Sequence, residues 1–78
     1  MPTLLRWKGY RAFFYSNERN EPPHVHVRRD DMEAKFWLAD LRMAVNIGYP
    51  EHELSAILDE LGRHQDELIR QWNEYFGD

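Results

Sequence analysis

The sequence contains no cysteine. That excludes disulfides, thiolate zinc sites and cysteine nucleophiles; it fits a reducing compartment, and a cytoplasmic location is the expectation. No apolar run approaches the ~20 residues of a membrane span, so no membrane partner is expected. Arg6 and Lys8 interrupt the N-terminal apolar stretch, which argues against a signal peptide. Internal repeats and low-complexity tracts are absent. So are a glycine-rich phosphate loop, a nucleophilic serine motif and the zinc-protease helix motif. A chain of 78 residues has too little material for a second core, so one domain over residues 1–78 is expected. A small core without a covalent staple is marginally stable, which favours a partner or a homodimer.

What is present is aromatic and unevenly charged. Aromatic residues make up 14% and apolar residues 42%, which excludes a disordered chain. The net charge of -4 divides unequally: residues 1–50 carry +2 and residues 51–78 carry -6. The first part can meet an anion, whereas the second repels nucleic acid and can attract a basic partner.

The patterning predicts strands over about residues 3–47. Thr3 to Trp7 is short and apolar, Lys8-Gly9 suits a two-residue hairpin loop, and Tyr10 to Ser16 is aromatic-rich. Asn17 to Pro23 is a polar loop closed by two prolines. His24 to Arg28 alternates with period two, and so does Glu33 to Leu38. Pairing Arg28 with Glu33 across a four-residue turn sets His26 opposite Lys35 and His24 opposite Trp37, all on one face. Leu41, Met43, Val45 and Ile47 predict a fifth short strand. After Pro50, Leu54, Ile57, Leu58, Leu61, Leu68, Ile69, Trp72, Tyr75 and Phe76 recur at helical spacing. This predicts one long helix from about residue 51 to 76, roughly 40 Å in length, unless Gly62 divides it. The expected fold is α+β: an antiparallel sheet of four or five strands packed by one long C-terminal helix.

The chemistry-bearing segment is Pro22-Pro23-His24-Val25-His26-Val27-Arg28. Two histidines two apart on a strand project the same way, with β-carbons about 6–7 Å apart. They can chelate a metal, or supply an acid and a base, since histidine titrates near neutrality. Arg28 and Lys35 on that face can hold a phosphate, and Tyr15 and Trp37 can stack a base. The plainer alternative is that these histidines pair with carboxylates such as Glu33. Arg11 can face the same cleft, although a solvated strand arginine is the simpler reading. Phe13 and Phe14 lie on opposite faces of their strand, so one is core and the other needs a cover. The helical stripe from Leu54 to Phe76 reads as core, and His52 and His64 as solvated helix residues.

These residues resemble the small bacterial family known as domain of unknown function 4160. The resemblance is carried by Gly9-Tyr10-Arg11, by Phe13-Phe14-Tyr15-Ser16-Asn17-Glu18, and by Pro22-Pro23-His24-Val25-His26-Val27. Glu33-Ala34-Lys35-Phe36-Trp37-Leu38 and Trp72-Asn73-Glu74-Tyr75-Phe76 extend it over most of the chain. It implies a neighbouring gene of a second small family, domain of unknown function 2442. It implies further an arrangement like a two-gene toxin–antitoxin pair in which this chain is the toxin and the neighbour a small antitoxin-like partner. No catalytic mechanism comes with the resemblance. Tyr15, His24, His26, Arg28 and Lys35 carry over as candidate site residues.

Three readings follow. The first is a toxin acting on RNA or on translation. His24 or His26 would be the base and the other the acid, with Arg28 or Lys35 stabilising the phosphorane. Tyr15 completes that candidate catalytic set, and Arg11 and Trp37 would bind substrate. The net charge confines RNA binding to a local patch. The second is a non-enzymatic interaction module that docks a small protein through Phe13, Trp37 and the histidines, or through the acidic helix. The third is a metal protein built on His24 and His26. Two clustered ligands fall short of the three or four that zinc normally takes, so no metal or cofactor is expected.

Overall fold

The computed structural model describes residues 3–77. Five strands, β1 (Thr3–Trp7), β2 (Tyr10–Phe13), β3 (His24–Arg29), β4 (Met32–Trp37) and β5 (Met43–Ile47), are followed by helices α1 (Glu51–Arg63) and α2 (Gln65–Phe76). The strands form one antiparallel sheet in the order β1-β2-β3-β4-β5. The fold is therefore α+β, with five strands.

Lys8 and Gly9 both take positive φ, 46° and 85°, as a two-residue hairpin turn requires, and this closes β1 onto β2. Across β3 and β4, His24 pairs with Trp37, His26 with Lys35 and Arg28 with Glu33. This is the register read from the alternation. The ladder continues one pair further, to Arg29 and Met32, so the turn is Asp30-Asp31 rather than four residues. β2 ends at Phe13, three residues short of the predicted strand. Leu41, expected in the fifth strand, sits before it at φ 59° and packs against the core.

One face of the sheet carries Tyr10, Ala12, Val25, Val27, Ala34 and Phe36, and the helices cover it with Ile57, Leu61, Leu68 and Trp72. Phe14 joins this core. Tyr10, Arg29 and Glu53 bind α1 to the sheet: the Tyr10 hydroxyl donates to Glu53 at 2.6 Å, and Arg29 reaches the same carboxylate at 2.6 Å. Among the described residues, no helix is long and apolar enough to cross a membrane.

The single long helix is corrected to two. The break falls at His64 (φ -120°, ψ 13°), not at Gly62, which lies inside α1 and faces the Leu41 side chain. The break lets Leu68 and Trp72 of α2 join Ile57 and Leu61 of α1 in one core. A straight helix over residues 51–76 would run about 39 Å; with the break the molecule's longest extent is 34 Å. The break turns α2 back across the sheet. It also brings the Gln65 amide to the Leu38 carbonyl, where it donates at 2.6 Å.

Tyr49 follows β5 and is buried, and its hydroxyl donates to the Val27 carbonyl at 3.1 Å. Burial pushes its ionisation up to about 12. A tyrosine ordinarily ionises near 10, so the folded chain holds this proton more tightly than the unfolded one. The stability this confers is complete below pH 10 and is lost as the pH rises toward 12, at up to about 1.4 kcal/mol per pH unit. Urea unfolding between pH 9 and 12 should show the decline, and Tyr49→Phe should flatten it. An unchanged slope in that variant would place the alkaline sensitivity elsewhere.

Candidate functional site

The second sheet face is open only in part. Tyr15 and the loop that follows it fold back over its histidine end, so His24 and His26 lie under a cover while Arg28 stays exposed. Phe13, Tyr15 and His26 form an aromatic cluster: Phe13 stacks on His26 with centroids 5.5 Å apart, and Tyr15 meets His26 edge-on at 4.7 Å. Phe13 is thus covered within the chain, with the Arg11 guanidinium 4.5 Å above its ring. His24 packs against Trp72 at 4.8 Å and against Trp37 at 5.9 Å.

Glu18 organises this face. The Tyr15 backbone N–H donates to Glu18 Oε1 at 3.1 Å, and the Glu18 N–H donates to the Tyr15 carbonyl at 3.2 Å. This tight turn aims the carboxylate down onto both histidines. Glu18 Oε1 lies 2.8 Å from His24 Nε2 and 3.1 Å from His26 Nε2. Each ring's other nitrogen also faces an oxygen: His24 Nδ1 is 3.0 Å from the Pro22 carbonyl, and His26 Nδ1 is 3.2 Å from Glu33 Oε2. Tyr15 donates to Glu33 at 3.4 Å. Lys35 pairs with Glu21 and stands 4.7 Å over the Trp37 ring. Among the described residues, no buried side-chain nitrogen or oxygen lacks a partner.

The electrostatics follow from this packing. Burial alone would raise the Glu18 carboxyl. Hydrogen bonds from His24 and the Tyr15 N–H, with the charges of His24 and His26, outweigh it and hold the group below its ordinary value. Burial raises the Tyr15 hydroxyl, and the neighbouring Glu33 charge and hydrogen bond add to that.

All seven predicted site residues lie on or beside this face, but not as an exposed cluster. His24 is 0% exposed and His26 7%. Neither ring is presented on the open surface in this arrangement. Lys35 is neutralised by Glu21, and Trp37 is half-buried beneath it. Glu18 was missed as a site residue because it sits in a loop eight positions from His26. Its signal was local: in Tyr15-Ser16-Asn17-Glu18 a glutamate stands three residues after the N–H it accepts, the spacing used by capping boxes. Glu18, His24 and His26 together present three metal-ligand atoms, all within 4.8 Å of one another.

A family model, described as Domain of unknown function (DUF4160), matches residues 9–73. The chain belongs to this family. The match takes in β2 to β5, the covering loop with Glu18, α1 and most of α2, so the whole histidine network of this DUF4160 member lies inside it. Neither the curated proteins nor the solved structures yield a match.

The register also builds a row that the sequence did not disclose. Arg6 pairs with Arg11 and Arg11 with Arg28, so three arginines stand directly opposite one another on β1, β2 and β3. Glu33 continues the row on β4; it lies 3.8 Å from Arg28 while also serving His26 and Tyr15. Among the described residues, no carboxylate pairs with Arg6 or Arg11.

Proposed function

We propose that the chain binds the phosphate backbone of RNA through Arg6, Arg11 and Arg28, and that this binding underlies action as the toxin of a two-gene bacterial pair. The observation that carries the reading is the cross-strand arginine row. Like charges placed directly opposite destabilise a sheet, and an anion laid across them relieves that repulsion. Arginine suits the task, since its planar fork meets phosphate oxygens bidentately. The overall charge of -4 is no obstacle to such local contact. The acidic surplus rides on the helices, which pack against the other face of the sheet. In this reading the histidines shape the face and RNA is gripped rather than cut.

The test is anisotropy of a labelled single-stranded RNA against salt. Three phosphate contacts should give a log–log slope of about -2, at roughly -0.7 per contact on a single strand. Arg6→Gln/Arg11→Gln/Arg28→Gln should flatten the slope, weaken binding at least about tenfold at low salt, and relieve growth inhibition on controlled expression. Wild-type affinity in the triple variant, or no wild-type binding at low salt, would end this reading.

Strand β5 favours a second reading, a non-enzymatic module that docks the neighbouring gene's small product or a second copy. Met43, Val45 and Ile47 are 48%, 46% and 59% exposed on an edge strand, an unusual concentration of apolar surface. They adjoin a hollow of about 70 Å³ lined by His26, Glu33, Ala34, Lys35, Val45 and Ile47. Edge strands of this kind accept a partner strand. The same growth assay separates the readings: Val45→Lys/Ile47→Lys would abolish inhibition here, and the arginine variant would leave it intact.

A further inference from the structure

From the geometry we infer that Glu18, His24 and His26 form a binding site for one divalent transition-metal ion of the zinc type. The three donors are not part of the arginine row or of strand β5, although Glu33 links the site to Arg28 and His26 borders the β5 hollow. It rests on the donor set, its spacing, its outer support and its charge.

The donors are two imidazole nitrogens and one carboxylate oxygen, held by β3 and the covering loop. This set suits zinc and its first-row neighbours, and three protein ligands leave room for a further ligand. Both Nε2 atoms point at the same oxygen, at 2.8 and 3.1 Å. Neighbouring donors around an octahedral ion at about 2.1 Å lie roughly 3.0 Å apart, and those around a tetrahedral ion roughly 3.4 Å. All three donor atoms lie within 4.8 Å of one another, so an outward shift of the Glu18 side chain with small rotations of the two rings would bring them around one ion.

The outer support is that of a built metal site. A metal-ligating histidine presents one nitrogen to the ion and gives its other N–H to a carboxylate or a backbone carbonyl. His24 has the Pro22 carbonyl hydrogen-bonded at Nδ1, and His26 has a Glu33 oxygen 3.2 Å from Nδ1. Both rings turn Nε2 toward the shared Glu18 oxygen. Glu33 is itself held by Tyr15. Trp72 and Trp37 wall off His24, so the ion would sit in an apolar shell with its remaining positions toward the partly exposed Glu18.

Charge also favours a cation here: Glu18 lies against both rings and Glu33 against one, and all four ring nitrogens face oxygens.

The experiment uses the full chain without a histidine tag, stripped with chelator and dialysed against zinc chloride. Bound zinc would be counted by elemental analysis, and affinity read by calorimetric titration and by the shift in Tm. The expected result is one zinc per chain and a Tm several degrees higher. Glu18→Gln keeps an oxygen above both rings and should retain the fold by circular dichroism, yet bind zinc at least about 100-fold more weakly. Glu33→Gln, which touches only the support, should weaken it by roughly 10- to 100-fold. His64→Ala removes the histidine that pairs with Glu60 and should bind as the wild type does. Less than about a tenth of an equivalent in the wild type, wild-type affinity in folded Glu18→Gln, or binding that disappears with His64→Ala would each overturn the site.

Discussion

Glu18→Leu should lower the stability of the metal-free chain by about 2–4 kcal/mol, measured by urea unfolding in the presence of chelator. The carboxylate accepts from the Tyr15 N–H and faces Nε2 of both histidines. Leucine of similar length leaves those three groups with no acceptor. His24 is fully buried and His26 nearly so, and water reaches neither ring freely. An orphaned buried polar group costs about 1–3 kcal/mol, and breaking a buried charged pair can cost about 3–5 kcal/mol. Glu18 itself is partly exposed, which lets some water in and moderates the loss. Glu18→Gln retains an acceptor and should lose about 1 kcal/mol. A loss below about 0.5 kcal/mol for Glu18→Leu would show that the loop, not its carboxylate, holds the histidines.

How far the sequence disclosed this arrangement depends on the range of the forces involved. Period-two alternation in His24 to Arg28 and Glu33 to Leu38 was enough to pair His26 with Lys35 and His24 with Trp37, because one face of each strand had to be apolar. The place where the helix breaks was not legible. The apolar phase runs unbroken from Leu54 to Phe76 and carries no mark of the break at His64, which serves the packing of both helices on one core. Gly62 was the residue that local propensity singled out, and it stays helical. The pairing of Phe14 with the core, and of Phe13 with a cover, was foreseen in kind. That the cover would be Arg11, Tyr15 and His26 depends on how the Tyr15–Glu18 turn closes.

The candidate site divides in the same way. The face shared by His24, His26, Arg28 and Lys35 follows from strand geometry and was legible. Its burial was not, because a loop of seven polar and proline residues gives no periodic signal. Glu18 and Glu21 from the covering loop and Glu33 from β4 neutralise that face, and only the folded chain brings them together. The arginine row is a comparable case. Arg6, Arg11 and Arg28 sit in three strands with unremarkable spacing, and the row exists only once β1, β2 and β3 are aligned.

Trp72→Ala should be the most damaging single substitution in α2, at about 3–5 kcal/mol, the range for truncating a buried tryptophan. Trp72 is 2% exposed, and its ring lies 5.0 Å from Phe14 and 4.4 Å from Phe76. A domain of this size draws on a stability near the lower end of about 5–15 kcal/mol. The loss should therefore lower Tm by roughly 12–40 °C, at about 4–8 °C per kcal/mol. Tyr75→Ala, three residues along and half exposed, should cost about 1 kcal/mol or less. A comparable loss at both positions would mean that α2 docks through its whole surface rather than through the Trp72 anchor. Trp72 also forms one wall of the His24 pocket, 4.8 Å from that ring. Removing it admits water to the histidine that Glu18 holds, so the costs of Trp72→Ala and Glu18→Gln should fall short of their sum when combined. Simple additivity would instead separate the helix anchor from the histidine network. A shortfall of about 0.5 kcal/mol or more would tie the docking of α2 to the ordering of the Glu18–His24 pair.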